Sequence, residues 1–145
     1  MLHSAVASSL IGCGCEVLDM GVCPTPMLQF SVKPAGAVGG VAISGGHNGM
    51  GWNAITLIGA DGAPIEPVGG ETVLDIYHAG DFMRKRAGSI GAIKEIGDFQ
   101  AGYFSSLGQH VDAGAIRKSS FTVLIDPLSG AGCPYLRDFA STVGV

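Results

Sequence analysis

Apolar and polar positions alternate along the first half of the chain in a way that predicts helices and strands in turn. Leu2, Val6 and Leu10 recur at helical spacing, and the glycines that follow them predict the end of that helix. Apolar runs bounded by glycine or proline indicate the next elements: a strand at 15–20, a helix at 27–32, strands at 38–44 and 52–58, and a helix at 71–78. This alternation predicts an α/β fold with a partly parallel sheet.

The second half of the chain has a different pattern. Residues 81–97 contain the basic run RKR and little periodicity, which is typical of a linker. A helix at 98–109 follows, then FTVLI at 121–125 as a buried strand, a Gly-rich turn at 126–132 and a helix at 133–142. A buried strand needs a partner, so this strand either joins the first sheet or begins part of a larger unit.

Composition narrows the class of protein. The 145 residues have the length of one ordinary domain, and 47% apolar against 14% charged residues argues against disorder. A net charge of −4 and a pI near 5.4 give no reason to expect a nucleic acid partner. No run approaches the roughly 20 apolar residues that span a membrane, and the N-terminus lacks a basic signal-peptide region. We therefore expect a cytoplasmic protein with reduced thiols, since its four cysteines lack zinc-site spacing.

The Gly-rich stretch ISGGHNGMGWNAIT is the candidate site. His47 follows an apolar strand at the end where α/β proteins bind ligands, its flanking glycines leave it unshielded, and Asn48 adds a neutral donor and acceptor. The alternative interpretation is a turn that binds nothing. A further hypothesis pairs Ser44 with His47 as nucleophile and base, with Asp19 or Asp61 as the orienting acid. The turn at 126–132 allows a similar approach to phosphate, but helix packing, which also needs small residues, is the favoured explanation for Ser129–Gly132.

Four segments of the chain resemble the α-D-phosphohexomutases. Gly39–Thr56 reads GGVAISGGHNGMGWNAIT and is similar to the family's GGIxITASHNPxxY/WNG/AI/LK, and the preceding EVLDMGVCPTP is similar to its VxDxGxxPTP. Downstream, GADGAPI and FTVLIDPLSGAG look like later parts of the family's first domain and the opening of its second. The resemblance implies a three-layer α/β/α domain I with a mixed, partly parallel sheet, followed by the first strand and helix of a second similar domain.

The resemblance also implies a domain organisation for this chain. We expect residues 1–83 to form domain I without its N-terminal strand, 84–118 a linker and connecting helix, and 119–145 the start of domain II. Family members are several times longer, so we expect this chain to be a truncated and inactive fragment.

The chemistry that the resemblance implies is intramolecular phosphotransfer on a hexose phosphate. A loop phosphoserine donates the phosphoryl group, and Mg²⁺ held by an Asp-rich loop of domain II offsets its charge; that metal loop is absent from this chain. The phosphoserine position is Gly46 here, which has no oxygen to phosphorylate, and the lysine position is Thr56. The family's catalytic positions that remain are His47 and Asn48. We expect phosphate binding by five residues of the stretch: Ser44, Gly45, Gly46, His47 and Asn53.

Two substitutes for the missing serine are conceivable. Ser44 has a hydroxyl but lies two residues back, roughly 6–7 Å along a strand; alternatively, a free phosphate or bisphosphate replaces the protein phosphoserine. The alternative function is a non-catalytic phosphate- or sugar-phosphate-binding or assembly module. Exposed sheet edges also predict association between copies of the chain.

Overall fold

The computed structural model describes residues 1–46, 48–49 and 51–145. Helices and strands are numbered in chain order: α1 (Leu2–Gly12), β1 (Val17–Asp19), α2 (Thr25–Val32), β2 (Gly39–Ser44), β3 (Ala54–Gly59), α3 (Pro67–Ala79), β4 (Ile93–Glu95), α4 (Phe99–Gly108), α5 (Ala113–Lys118) and α6 (Leu136–Val143). Single 3₁₀ turns occupy Ala87–Ser89 and Cys133–Tyr135. The elements that the sequence pattern predicts before residue 80 all form, with bounds shifted by up to four residues.

The strands pair two and two in the described part of the chain. β1 and β4 are parallel, with Val17 opposite Ile93, and β2 and β3 are antiparallel, with Ser44 opposite Ala54. Both kinds of pairing therefore occur, as a mixed, partly parallel arrangement requires. The antiparallel pair is joined directly as a hairpin, which fixes the position of the loop between its strands.

A small apolar core lies between α2 and the β2–β3 hairpin. It is formed by Val32, Ala42 and Ile58, with Leu28 and Ala37 packed against it. Side chains alternate between the two faces of a strand, so the residues that meet α2 are every second one along β2 and β3. Burying this face gives α2 its place over the hairpin, because dispersion and apolar burial are the main sources of packing energy here.

Glycines permit two close contacts that position the hairpin. At Gly40, an added Cβ would come within 3.0 Å of Val32 Cγ2, so glycine lets α2 approach β2. At Gly62, φ is +86° and a Cβ would collide with the carbonyl oxygen of Gln29, so only glycine fits between that turn and α2. The same turn is closed by the Ala63 N–H, which donates to Asp61 Oδ1 at 2.9 Å.

Residues 81–97 contain a strand that their sequence pattern did not reveal. This strand, β4 (Ile93–Glu95), lies beside β1, and the Val17 N–H donates to the Ala92 carbonyl at 2.8 Å. Gly91 is required just before this strand, because a Cβ there would collide with the Cys15 backbone. This part of the predicted linker is thus bound to the first sheet.

The predicted buried strand at 121–125 is wrong. These residues form no strand in the structure, and Leu124 is 98% exposed. The physical reason is that no described strand lies alongside to accept their backbone hydrogen bonds. The helix predicted at 133–142 does form, as the 3₁₀ turn followed by α6, and α5 is an additional helix that the pattern missed.

The later helices pack back onto the first half of the chain. Phe30 of α2 meets Tyr103 of α4 edge to face, with 5.7 Å between ring centroids, and Phe104 beside it is buried. Tyr135 packs against Phe99 and its hydroxyl donates to the Val22 carbonyl at 3.0 Å. Helix α4 therefore lies between α2 and α6. Among the described residues, none of the helices is both long and apolar enough to cross a membrane.

Candidate functional site

The candidate site is the connection between β2 and β3. β2 ends at Ser44 and β3 begins at Ala54, its direct partner, so residues 45–53 form a loop whose two ends are held together by the ladder. Two residues further in, Ala42 lies opposite Thr56. Because directly opposed side chains share a face, Ser44 and Thr56 lie on the same face of the hairpin, in diagonal register.

Backbone hydrogen bonds divide the described part of this loop into two tight turns. The Asn48 N–H donates to the Gly45 carbonyl at 3.2 Å, and the Trp52 N–H donates to the Gly49 carbonyl at 3.0 Å. Gly46 is the second residue of the first turn and has φ of +58°, in the left-handed region where glycine is favoured. Gly46 thus gives this turn a backbone conformation that glycine favours.

Gly46 lies at the exposed end of the hairpin with open space around it. Among the described residues other than its chain neighbours, the nearest atom to an added Cβ would be Asn48 Nδ2, at 4.0 Å. A serine at this position would therefore meet no steric obstacle from those residues, but it would have to adopt a left-handed backbone that side chains disfavour.

The other expected binding residues surround this position in different ways. Ser44, Asn48 and Asn53 are exposed, and Gly45 is half-buried. None of the three polar side chains forms a hydrogen bond with another described residue, so their donors and acceptors face solvent. His47, the residue expected to be most directly involved, lies outside the described residues.

Both candidate orienting acids are engaged in local contacts. Asp61 accepts the Ala63 N–H in the turn described above. Asp19 Oδ2 lies 3.0 Å from His3 Nε2, and its Oδ1 accepts the Gly21 N–H at 2.9 Å. The backbone hydrogen bond from Gly21, aided by His3, holds the pKa of Asp19 below its ordinary value. Their observed partners therefore give no support to the Ser/His/Asp hypothesis.

The His3–Asp19 pair was not predicted, and a neighbouring thiol belongs to the same region. Burial, and secondly the charge of Asp19, raise the pKa of the Cys23 thiol, which makes it a weak nucleophile. Burial in turn raises the pKa of Tyr135, with a smaller effect from Cys23. The sequence pattern could not predict the contact between His3 of α1 and Asp19 of β1, because this contact depends on how α1 packs against β1.

Among the described residues, the hairpin loop has neither a group of metal ligands nor a part in the two grooves described below. Within the described ranges, no group of three or more His, Cys, Asp or Glu side chains could hold a metal ion. These residues therefore do not fit the Mg²⁺ that the family resemblance implies. Two open grooves, of about 500 and 490 Å³, border α6. Arg117 and Arg137 line the first of them, and neither groove includes a residue of the hairpin loop.

Comparisons with known proteins agree with the sequence motifs. The family model "Phosphoglucomutase/phosphomannomutase, alpha/beta/alpha domain I" matches residues 1–84. A phosphoglucomutase/phosphomannomutase of Thermococcus kodakarensis is 32% identical over 139 residues, covering 94% of this chain and 30% of that protein. A phosphoglucosamine/phosphogalactosamine mutase of Sulfurisphaera tokodaii is 33% identical over 133 residues, with 91% and 29% covered.

A solved structure extends the likeness to three dimensions. The crystal structure of a Thermus thermophilus protein assigned as a phosphomannomutase superposes with a TM-score of 0.74 at 30% identity, over 99% of this chain and 33% of that one. The chain spans about 30% of the length of the curated relatives that it matches. The prediction made from its motifs is confirmed: the chain belongs to the phosphoglucomutase/phosphomannomutase family and has the α/β/α fold of that family's domain I.

Proposed function

We propose that the chain is a phosphohexomutase-like protein in which the 45–53 loop contacts the phosphate of a hexose phosphate. The observation that carries the proposal is the open geometry at Gly46, where a left-handed turn at the exposed end of the hairpin leaves room beside the backbone. Family membership supports the ligand class, since the similar proteins are named as mutases of phosphorylated sugars.

The loop supplies neutral groups for phosphate. The amides of Asn48 and Asn53 and the hydroxyl of Ser44 are solvent-facing donors, and Gly45 and Gly46 let an oxyanion approach the backbone. His47 is assigned a binding and proton-handling role by the resemblance alone. With Thr56 in place of the family's lysine, no described charge within the loop attracts the anion, so we expect weak binding.

Phosphoryl transfer through position 46 is excluded from the proposal, because glycine has no oxygen to carry the group. We therefore expect the 145-residue chain to bind hexose phosphate without converting glucose 1-phosphate to glucose 6-phosphate. A coupled assay for glucose 6-phosphate, with Mg²⁺ and glucose 1,6-bisphosphate present, measures this. Turnover by the purified chain would refute the inference drawn from Gly46, and Ser44→Ala would then show whether its hydroxyl is the substitute.

The same absence of a nucleophile favours one alternative, a non-catalytic module that binds phosphate or only assembles with other proteins. Thermal melting with increasing glucose 1-phosphate separates these cases. A ligand at about ten times its dissociation constant stabilises the fold by about 1.4 kcal/mol. We expect stabilisation by glucose 1-phosphate and none by glucose; no response to either would leave the assembly role.

A matched pair of amide variants locates the site. Asn48→Ala removes one hydrogen bond to a charged group, which is worth about 1.5–3 kcal/mol, and therefore weakens binding at least about tenfold. Gln109→Ala removes an equally exposed amide at the end of α4 and should leave binding unchanged. Equal losses in both variants would place the ligand outside the loop.

Further features of the proposal follow from the family. The family model ends at residue 84, which supports the first boundary of our proposed division into 1–83, 84–118 and 119–145, although β4 of the second segment pairs with β1 of the first. Mg²⁺ is proposed only for a metal loop outside this chain. The four free cysteines agree with a reducing compartment, so we retain the cytoplasm as the proposed location. Neither nucleic acid nor membrane is a proposed partner, whereas pairing between copies through a sheet edge stays a prediction.

A further inference from the structure

Helix α1 ends at the sequence Cys-Gly-Cys, which holds two thiols with a single residue between them. Cys13 and Cys15 are both free and exposed. The function proposed for the hairpin loop does not use them, and their spacing does not suit a zinc site. Two accessible thiols this close in sequence can join to each other only if the backbone brings them within the range of a disulfide. The geometry of the turn therefore decides what this pair can do.

Backbone hydrogen bonds fix the shape of the turn. The Cys15 N–H donates to the Leu10 carbonyl at 3.0 Å, and the Gly14 N–H donates to the Ile11 carbonyl at 2.8 Å. This pair of hydrogen bonds is the Schellman motif, in which the residue after the helix cap is left-handed. Gly14 has a φ of +89°, in the left-handed region that the motif requires.

A left-handed Gly14 places the two cysteines at a suitable separation. The left-handed conformation mirrors the right-handed helix, so it shares the helix radius of about 2.3 Å and rise of about 1.5 Å per residue. These dimensions put the Cα atoms of Cys13 and Cys15 about 5.4 Å apart. Disulfides span Cα–Cα distances of about 4.4–6.8 Å, so the backbone already allows the bond.

Contacts from the segment between α3 and β4 hold the turn in this shape. The Lys85 N–H donates to the Gly12 carbonyl at 2.9 Å. The Lys85 side chain crosses Gly14 so closely that an added Cβ would come within 2.9 Å of its Cγ. Gly91 packs against the Cys15 backbone, where an added Cβ would collide. The fold thus holds the two cysteines in place before any reaction, which favours ring closure.

We propose that Cys13 and Cys15 form a reversible intramolecular disulfide, with a low-molecular-weight disulfide as the oxidant. One thiolate attacks a sulfur of the oxidant, forms a mixed disulfide and releases the first small thiol. The second thiolate attacks the protein sulfur of that mixed disulfide, closes the ring and releases the second small thiol. Two protein thiols are oxidised, one small disulfide is reduced to two thiols, and the two protons pass to the departing thiolates. Exposed disulfides are readily reduced again, so the free dithiol is the resting form.

Oxidised glutathione is the probe, used in glutathione redox buffers with the intact 145-residue chain. Cleavage after Glu16 by Glu-C protease releases residues 1–16, which contain Cys13 and Cys15 and no other cysteine. After free thiols are alkylated, mass spectrometry should find this peptide short of two hydrogens, with neither alkyl groups nor glutathione. At constant oxidised glutathione, doubling the reduced form should lower the ratio of disulfide to dithiol about fourfold, because each ring closure releases two thiols.

Single-cysteine variants are the matched controls. Cys13→Ser and Cys15→Ser each leave one thiol in the peptide, so they should give only the mixed disulfide with glutathione. Its ratio to free thiol should fall about twofold on the same doubling. Cys133→Ser removes an exposed thiol outside the turn and should leave ring closure unchanged.

The contribution of the fold is measured on the wild-type chain in urea. Unfolding releases the turn, so the same extent of ring closure should then need more oxidised glutathione. The proposal is overturned if the folded wild-type peptide stays fully alkylated or carries glutathione, or if its thiols bridge to Cys23 or Cys133. Equal ring closure in the folded and unfolded chain would overturn it as well.

Discussion

Gly46→Ser places a hydroxyl where the family carries its phosphoserine, and the structure sets the cost of doing so. The left-handed φ of +58° costs an L-residue about 1–2 kcal/mol. The described residues other than its chain neighbours add no steric cost, since none of their atoms lies closer than 4.0 Å to the new Cβ. Serine also restricts the unfolded chain, which returns about 0.4–1 kcal/mol. We therefore expect the free energy of unfolding to fall by about 1 kcal/mol.

Urea unfolding followed by circular dichroism measures this change, with two glycine controls. Gly36 has φ of +62° and nothing within 4 Å, so Gly36→Ser should cost about as much as Gly46→Ser. Gly49 has equally open space without a left-handed φ, so Gly49→Ser should be neutral or slightly stabilising. The reasoning fails if Gly46→Ser is as harmless as Gly49→Ser, or if it is far more damaging than Gly36→Ser.

Two further substitutions test how much the apolar core contributes to stability and how stability is lost at acidic pH. Ile58→Ala should lower the free energy of unfolding by about 2–5 kcal/mol, because Ile58 is buried against α2. Ile55 lies on the same strand but is half exposed, so Ile55→Ala should cost well under half as much in the same urea titration. Asp19 has a lowered pKa, so its stabilising contribution is complete above about pH 4 and is lost as the pH falls through the folded-state value. Asp19→Asn should therefore lower the melting temperature at neutral pH and flatten its decline on acidification below about pH 4; an unchanged acid profile would show that the contacts with His3 and Gly21 contribute nothing.

Local sequence signals predicted most of the first half of the fold. The helix ending at Gly80 formed as expected, since its left-handed φ of +66° and the bond from its N–H to Tyr77 are the usual glycine end of a helix. Strands β2 and β3 were also evident, because both are apolar runs of ordinary length, whereas their antiparallel pairing was not predicted. β4 escaped notice because IKE is short and mixed in polarity, and only its pairing with β1 makes it a strand.

The segment 121–125 shows the opposite failure. FTVLI has the composition of a buried strand, but composition cannot supply a neighbour, and without one the segment stays exposed. At the site, the motif correctly indicated the family and the loop. It could not indicate the left-handed turn at Gly46 or the pairing of His3 with Asp19, since both depend on backbone geometry and on how distant elements come together.

The parallel pairing of β1 with β4 has a consequence for the order of folding. The α2–β2–β3 unit is made of contacts between near neighbours in sequence, so it can form early and at little loop-closure cost. β1, by contrast, must wait until the hairpin, α3 and the basic run have been made before Ile93–Glu95 becomes available to it. On the ribosome, the strand that carries Asp19 is thus made early and completed late, and until then its edge is open to chaperones and to other chains.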